Sequence, residues 1–202
     1  MTLLAALDLG AVFVFALTGA LVASRKQLDI VGFLFIASLT AVGGGTVRDL
    51  LLDRTVFWVA APGFIGVAAL AAVIVFFTAH LLESRLRAIL WLDAFALAVA
   101  VPAGVGVAIN LDQPWGIVVI MGVSTGCLGG LLRDVVCNEV PLVLKQGELY
   151  VTAAFFGSLA ALTVVPIGPA LMLCAAVTFA LRTGSLLFGW RLPAYKGYPP
   201  RQ

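Results

Sequence analysis

Apolar runs long enough to cross a bilayer follow one another along nearly the whole chain, and few folds that water must cover can accommodate them. They fall at residues 3–24, 28–53, 63–83, 88–109, 115–137, 147–165 and 169–190. A hydrocarbon layer of ~30 Å asks for roughly 20 helical residues per crossing, so the spacing predicts seven transmembrane helices with short connections. The composition agrees: 202 residues, 62% hydrophobic and only 11% charged, carry too few polar groups to cover a soluble domain of that size. The expected fold class is all-α, a multi-pass membrane protein. A net charge of +2, with basic residues dispersed among the connections, gives no surface for nucleic acid.

The opening run has no basic residues before it, Asp8 interrupts it, and Arg25 and Lys26 follow it. It reads as a retained first helix rather than a cleaved signal. With the N-terminus outside, Arg25, Lys26, Arg85, Arg87, Lys145, Arg191, Lys196 and Arg201 lie inside, eight of the twelve basic residues. Arg54 lies outside, and Arg48, Arg133 and Arg182 fall within runs. The positive-inside rule therefore predicts a cell-membrane protein with an outer N-terminus and a cytoplasmic C-terminus. His80, beside Glu83 and Arg85 at the inner end of the third run, reads as an interfacial residue. Cys127, Cys137 and Cys174 lack CxxC or Cys-His spacing, so buried thiols are expected and no metal site.

Shifting the sequence by 85 positions aligns 7–54 with 92–139 without a gap, and 12 of the 48 positions are identical. Apolar composition explains chance matches of Leu, Val and Ala, but not a register-matched pair of GGxxRD motifs. The repeat predicts a first three-helix unit at 1–86 and a second at 87–166. A seventh helix with a basic tail follows at 167–202. Three crossings per unit invert the second relative to the first, an arrangement typical of transport proteins.

Each motif sits deep in an apolar run. Adjacent glycines, Gly43, Gly44 and Gly45 in one unit and Gly129 and Gly130 in the other, permit a bend or break of the second and fifth helices. Broken backbone at that depth needs protein or water to satisfy it, which favours a wet cavity. A polar stripe leads from each, Gly45-Asp49-Asp53 and Gly130-Asp134-Asn138. Arg48, Asp49, Arg133 and Asp134 are charges that at such depth pair with one another, face a bundle interior or mark a permeation route. A second reading makes the glycines close-packing surfaces, with each Arg-Asp pair stitched to a neighbouring helix. Thr40, Ser38, Ser124 and Thr125 precede the glycines and either line the same route or bond their own helices. Asp8 and Asp93, at equivalent places near helix starts, read by default as capping or dipole-stabilising groups.

Two three-run units carrying GGGTVRDLLLDR and GGLLRDVVCNEV, followed by a seventh run, resemble the prokaryotic trimeric intracellular cation (TRIC) channel family. That family is related to a bacterial glycine-transporter-like membrane family. The resemblance extends to about Trp190. It implies a homotrimer in membrane lipid, each subunit holding its own pathway, with K+ and Na+ as permeant ions and no other cofactor. By the same resemblance Gly43, Gly44, Gly45, Gly129 and Gly130 are kink residues, and Arg48, Asp49, Arg133 and Asp134 line or gate the path. The second motif is one glycine short, which makes its bend milder.

Two transport functions fit these residues, and a third reading is a non-transporting membrane assembly protein. A passive cation channel would use the arginines as constrictions and the aspartates and carbonyls to lower the barrier. A secondary carrier for a small zwitterion such as glycine would use an arginine for the carboxylate and an aspartate for the amine. No HExxH, GxSxG, P-loop or GxGxxG in a suitable context is present, so no enzyme is expected.

Overall fold

The computed structural model describes residues 2–82, 84–145 and 148–193. Glu83, Lys196 and Arg201 lie outside the described residues. The helices, in chain order, are α1 (Leu3–Arg25), α2 (Ile30–Leu51), α3 (Phe57–Ala60), α4 (Gly63–Thr78), α5 (Arg85–Asn110), α6 (Trp115–Val136), α7 (Val151–Ala161) and α8 (Ile167–Phe188). A 3-10 turn at Ala79–Leu81 extends α4, and another at Leu142–Leu144 lies between α6 and α7. Six helices, α1, α2, extended α4, α5, α6 and α8, are long and apolar enough to span a membrane.

The expected sixth run, 147–165, takes a different form. Its helix is the 11-residue α7, roughly 16 Å long at ~1.5 Å per residue, about half of a hydrocarbon layer. The chain leaves α7 at Leu162 and turns ahead of Pro166, whose ring disfavours helix in the residue before it.

Local chemistry sets the helix ends. Thr2, Asp29 and Ser84 accept from Ala5, Gly32 and Arg87 amides as N-caps. Four non-glycine residues adopt left-handed backbone: Gln27 (φ 55°), Asp53 (49°), Asp112 (50°) and Asn138 (50°). They form two pairs at the 85-residue repeat spacing, and each closes the helix before it. The next amide then bonds back five residues, Leu28 to Ala23 (3.2 Å), Gln113 to Ala108 (3.1 Å), Arg54 to Asp49 (3.0 Å) and Glu139 to Asp134 (2.8 Å). Asp53 and Asn138 are thus turn residues, short polar side chains that tolerate this conformation, and not the ends of a polar stripe.

α5 is the most enclosed helix, packed by α1, α6, α7 and α8. Its run of Ala96, Ala98, Ala100, Ala103, Gly104, Gly106 and Ala108 lets neighbours approach closely. α1 packs on α2, α4 and α5, and the two units meet where α1 lies on α5 and α2 on α6. α8 covers α5 and α7.

Candidate functional site

The glycines decide how α2 and α6 meet. Both helices run unbroken through Gly43–Gly45 and Gly129–Gly130, so the expected break is not present. The hydrogens of Gly44 and Gly129 instead make room for backbone. A Cβ on Gly44 would strike the Thr125 carbonyl, and one on Gly129 would strike the Thr40 carbonyl. Positions 40 and 125, like 44 and 129, are repeat equivalents, so the contact is reciprocal. Within each unit the same device recurs: Gly19 faces Thr40 Oγ1 and Gly104 faces Thr125 Oγ1, where a Cβ would sit at 2.6 Å and 2.5 Å.

One turn beyond the glycines each arginine is locked into a carboxylate cage. Arg48 donates from Nε to Asp49 Oδ1 and from Nη1 to Asp8 Oδ1, both at 2.8 Å, and its guanidinium lies 5.5 Å from the centre of the Phe57 ring. Asp49 Oδ2 accepts the Phe57 amide at 2.8 Å. In the second unit Arg133 donates from Nε to Asp134 Oδ1 at 2.8 Å. It engages Asp93 through both terminal nitrogens, at 2.8 Å and 2.9 Å. Asp134 Oδ2 accepts the Leu142 amide at 2.9 Å. Leu142 is the repeat equivalent of Phe57, so the motif aspartate also stitches down the chain that follows its helix. Arg133 makes one further bond, from Nη1 to Thr18 Oγ1 at 2.9 Å. Both arginines are fully buried, and so is Arg182, which pairs with Glu148 at 2.7 Å and lies 5.0 Å from the Tyr150 ring centre.

The second cage sums to a formal charge of −1, Arg133 with Asp93 and Asp134, whereas the first sums to zero, because the exposed Arg54 also lies 3.7 Å from Asp49 and with Arg48 balances Asp8 and Asp49. Buried charge of this kind persists only with partners in such geometry. A cavity of about 390 Å³ opens beside Arg133 and Asp134, with Arg25, Glu139 and Lys145 at its mouth. There Glu139 is paired to Arg25 at 3.1 Å and to Lys26 at 3.5 Å. At the α2–α6 contact the space between Asp8, Thr40, Gly44, Phe57 and Thr125 is only about 10 Å³, room for one water.

The structure thus gathers Arg48, Asp49, Arg133, Asp134, Thr40, Thr125, Gly44, Gly45, Gly129 and Gly130 around the two cages and the contact between them. Gly43 faces Leu132. The hydroxyls of Thr40 and Thr125 donate to their own helices, to Ile36 and Met121 carbonyls at 2.6 Å. Ser124 also bonds Met121, at 3.2 Å, and lies on another face, in an apolar groove with Val151 and Phe155. That placement removes it from the central group. Its repeat equivalent, Leu39, carries no hydroxyl, a signal present in the sequence alignment itself. Asp8 and Asp93 are not caps: each lies 40 residues before its arginine and completes a cage. Thr18 and Phe57 join them as residues that sequence reasoning did not assign. Among the described residues the three cysteines are free and buried, His80 is exposed, and no cluster of metal-ligating side chains is found.

These features define an all-helical membrane protein built on a duplicated, arginine-caged core. The family model described as "Glycine transporter" matches the chain twice, at residues 5–80 and 90–166. The inner membrane protein YadS of Escherichia coli, assigned to UPF0126, is 37% identical over 199 residues, 94% of each chain. The TRIC trimeric intracellular cation channel orthologue from Rhodobacter sphaeroides superposes with a TM-score of 0.89 at 41% identity, covering 94% of this chain and all of that one. A TRIC cation channel solved to explain conductance superposes with a TM-score of 0.86 at 30% identity over 98% of this chain. The chain belongs to the TRIC family.

Proposed function

We propose that the protein is a passive cation channel whose ion route runs inside each subunit, between two oppositely inserted three-helix units. The units are residues 1–86 and 87–166, and 167–202 supplies a seventh span and tail. The permeant ions are K+ and Na+, the assembly is a homotrimer in the cell membrane, and the N-terminus is outside. The relatives of known structure are channels, not enzymes, which supports this class.

The carrying observation is the charge of the cages. A bare arginine would repel a cation, but Arg133 is outnumbered by two carboxylates, and Asp8 and Asp49 balance Arg48 together with the exposed Arg54, so neither constriction is net positive. Reciprocal glycine contacts between repeat-equivalent residues favour the two-fold relation of the units. The sixth crossing combines α7 with irregular backbone. Such backbone is tolerable at membrane depth where protein satisfies it, as the Leu142 and Leu149 amides show by bonding Asp134 and Ser185. The gathering of Arg25, Lys26, Arg85 and Lys145 at the Arg133 end supports a cytoplasmic position for that end. Opening then requires α2 and α6 to flex at their glycines and widen the 10 Å³ space beside Gly44.

The carrier reading has one observation in its favour, the "Glycine transporter" description of the matching family model. Against it, the arginine groups that would hold a carboxylate already hold aspartates. Liposomes of purified protein separate the two. The channel gives K+ and Na+ efflux that dissipates a gradient without saturating. Saturable glycine counterflow without ion flux would instead establish the carrier.

A further inference from the structure

The two cages are not equal. The second ties Arg133 by four bonds: one to Asp134, two to Asp93 and one to Thr18. The first ties Arg48 by two, and its Nη2 has no protein acceptor although it is buried. The difference follows from two sequence positions. Thr18, which accepts from Arg133, aligns with Ala103, which has no oxygen to offer Arg48. Asp93 is wholly buried and grips its arginine with both oxygens, whereas Asp8 keeps 14% of its side chain exposed and uses one. Bidentate, charge-assisted pairs are the strong and geometrically fixed ones.

The cavities repeat the asymmetry independently. Space already reaches Arg133 and Asp134 as a cavity of about 390 Å³, while the space beside Asp8 and Gly44 is about 10 Å³. The narrow point therefore lies next to the loosely held arginine, not the tightly held one.

We infer that Arg48 is the arginine that moves to admit ions, released from Asp8, while Thr18 is a positioning residue that keeps Arg133 fixed as a permanent part of the route. This rests on the channel reading above. A swing of Arg48 breaks one bond to α1 and keeps the Nε bond to Asp49 on its own helix. The same swing of Arg133 would break three bonds to α1 and α5 and strand the buried Asp93 without a partner. Thr18 also donates to the Phe15 carbonyl at 2.9 Å, so its oxygen is itself held in place to accept.

The test uses the full chain, labelled with 15N-arginine, in nanodiscs, and the same protein in planar bilayers. Guanidinium rotation, read from the terminal-nitrogen line shapes and assigned with Arg48→Lys and Arg133→Lys, should be at least about tenfold slower at Arg133 than at Arg48. Thr18→Val should speed Arg133 by roughly tenfold and leave Arg48 unchanged. Asp8→Asn should raise the open fraction of the current by about the same factor, since it weakens the bond that holds the closed arrangement. Equal rotation at the two sites, no response of Arg133 to Thr18→Val, or an unchanged open fraction in Asp8→Asn would overturn the inference in a protein that conducts. A wild-type protein with the rotational asymmetry but no K+ current would overturn the channel reading instead, and the gating role with it.

Discussion

A single methyl group at Gly44 separates the two roles open to the glycines. If they serve mainly to weaken helix, alanine at 43, 44 or 45 should stabilise each alike, by up to ~1 kcal/mol of helix propensity. The contacts imply a strongly uneven result. At Gly44 the new Cβ meets Thr125 backbone, the carbonyl carbon at 3.1 Å and Cα at 3.3 Å with the oxygen closer still, and backbone of a buried helix cannot rotate away. At Gly43 it meets Leu132 Cδ1 at 2.8 Å, the far end of a flexible side chain. Gly45 faces the Phe57 ring at 2.6 Å, a rigid group stacked near Arg48. Overpacking of this kind costs roughly 1–3 kcal/mol where neighbours cannot yield. Gly44→Ala is expected to lose about 2 kcal/mol or more, Gly45→Ala an intermediate amount, and Gly43→Ala to stay within ~1 kcal/mol of wild type. Gly129→Ala should match Gly44→Ala, because it parts the same two helices. For that reason the double variant should cost clearly less than the sum. Unfolding in mixed micelles, followed by tryptophan fluorescence, measures all of these. Equal effects at 43 and 44, or strict additivity of 44 with 129, would refute the close-crossing argument.

Other substitutions test the cages. Arg133→Met should destabilise by about 3–5 kcal/mol, since it leaves the buried Asp93 and Asp134 without their cation, and the same micelle assay reads it. Asp134→Asn should cost about 1–3 kcal/mol because both oxygens accept, from Arg133 and from the Leu142 amide, and an amide group must turn a donor toward one of them. Tyr150→Phe should change stability little, as the buried hydroxyl has no partner among the described residues while the ring against Arg182 is kept. Glu139→Gln at the mouth should cost under ~1 kcal/mol, the two pairs being partly exposed, yet reduce outward K+ current, carried by ions entering at that mouth, at low salt more than at high salt.

Much of the core was legible because duplication marks it. Twelve identities at one offset include both cage arginines, both motif aspartates and Asp8 with Asp93. Even so, Asp8 and Asp93 read as helix-start groups, since local position is visible in a sequence and a partner 40 residues away is not. The available signal was that an aspartate, a costly residue inside an apolar run, recurs at the same place in both repeats that carry a buried arginine. The glycines were ambiguous for a physical reason: a bend and a close crossing both require the missing Cβ, and only the position of the neighbouring helix decides. Thr18 escaped because it belongs to the difference between the repeats and not to their likeness. The short α7 was missed because hydropathy registers apolar content and not helix ends, so the run 147–165 shows neither the start at Val151 nor the stop at Ala161 ahead of Pro166.

Reversal potential under asymmetric KCl measures the central claim, that carboxylates at least balance the guanidinium groups at both constrictions of a route within the subunit. Purified protein in planar bilayers should give unitary steps that reverse toward the K+ equilibrium potential. Reversal toward the Cl− potential would show that the arginines and not the aspartates set the field, and a silent bilayer would remove conduction altogether.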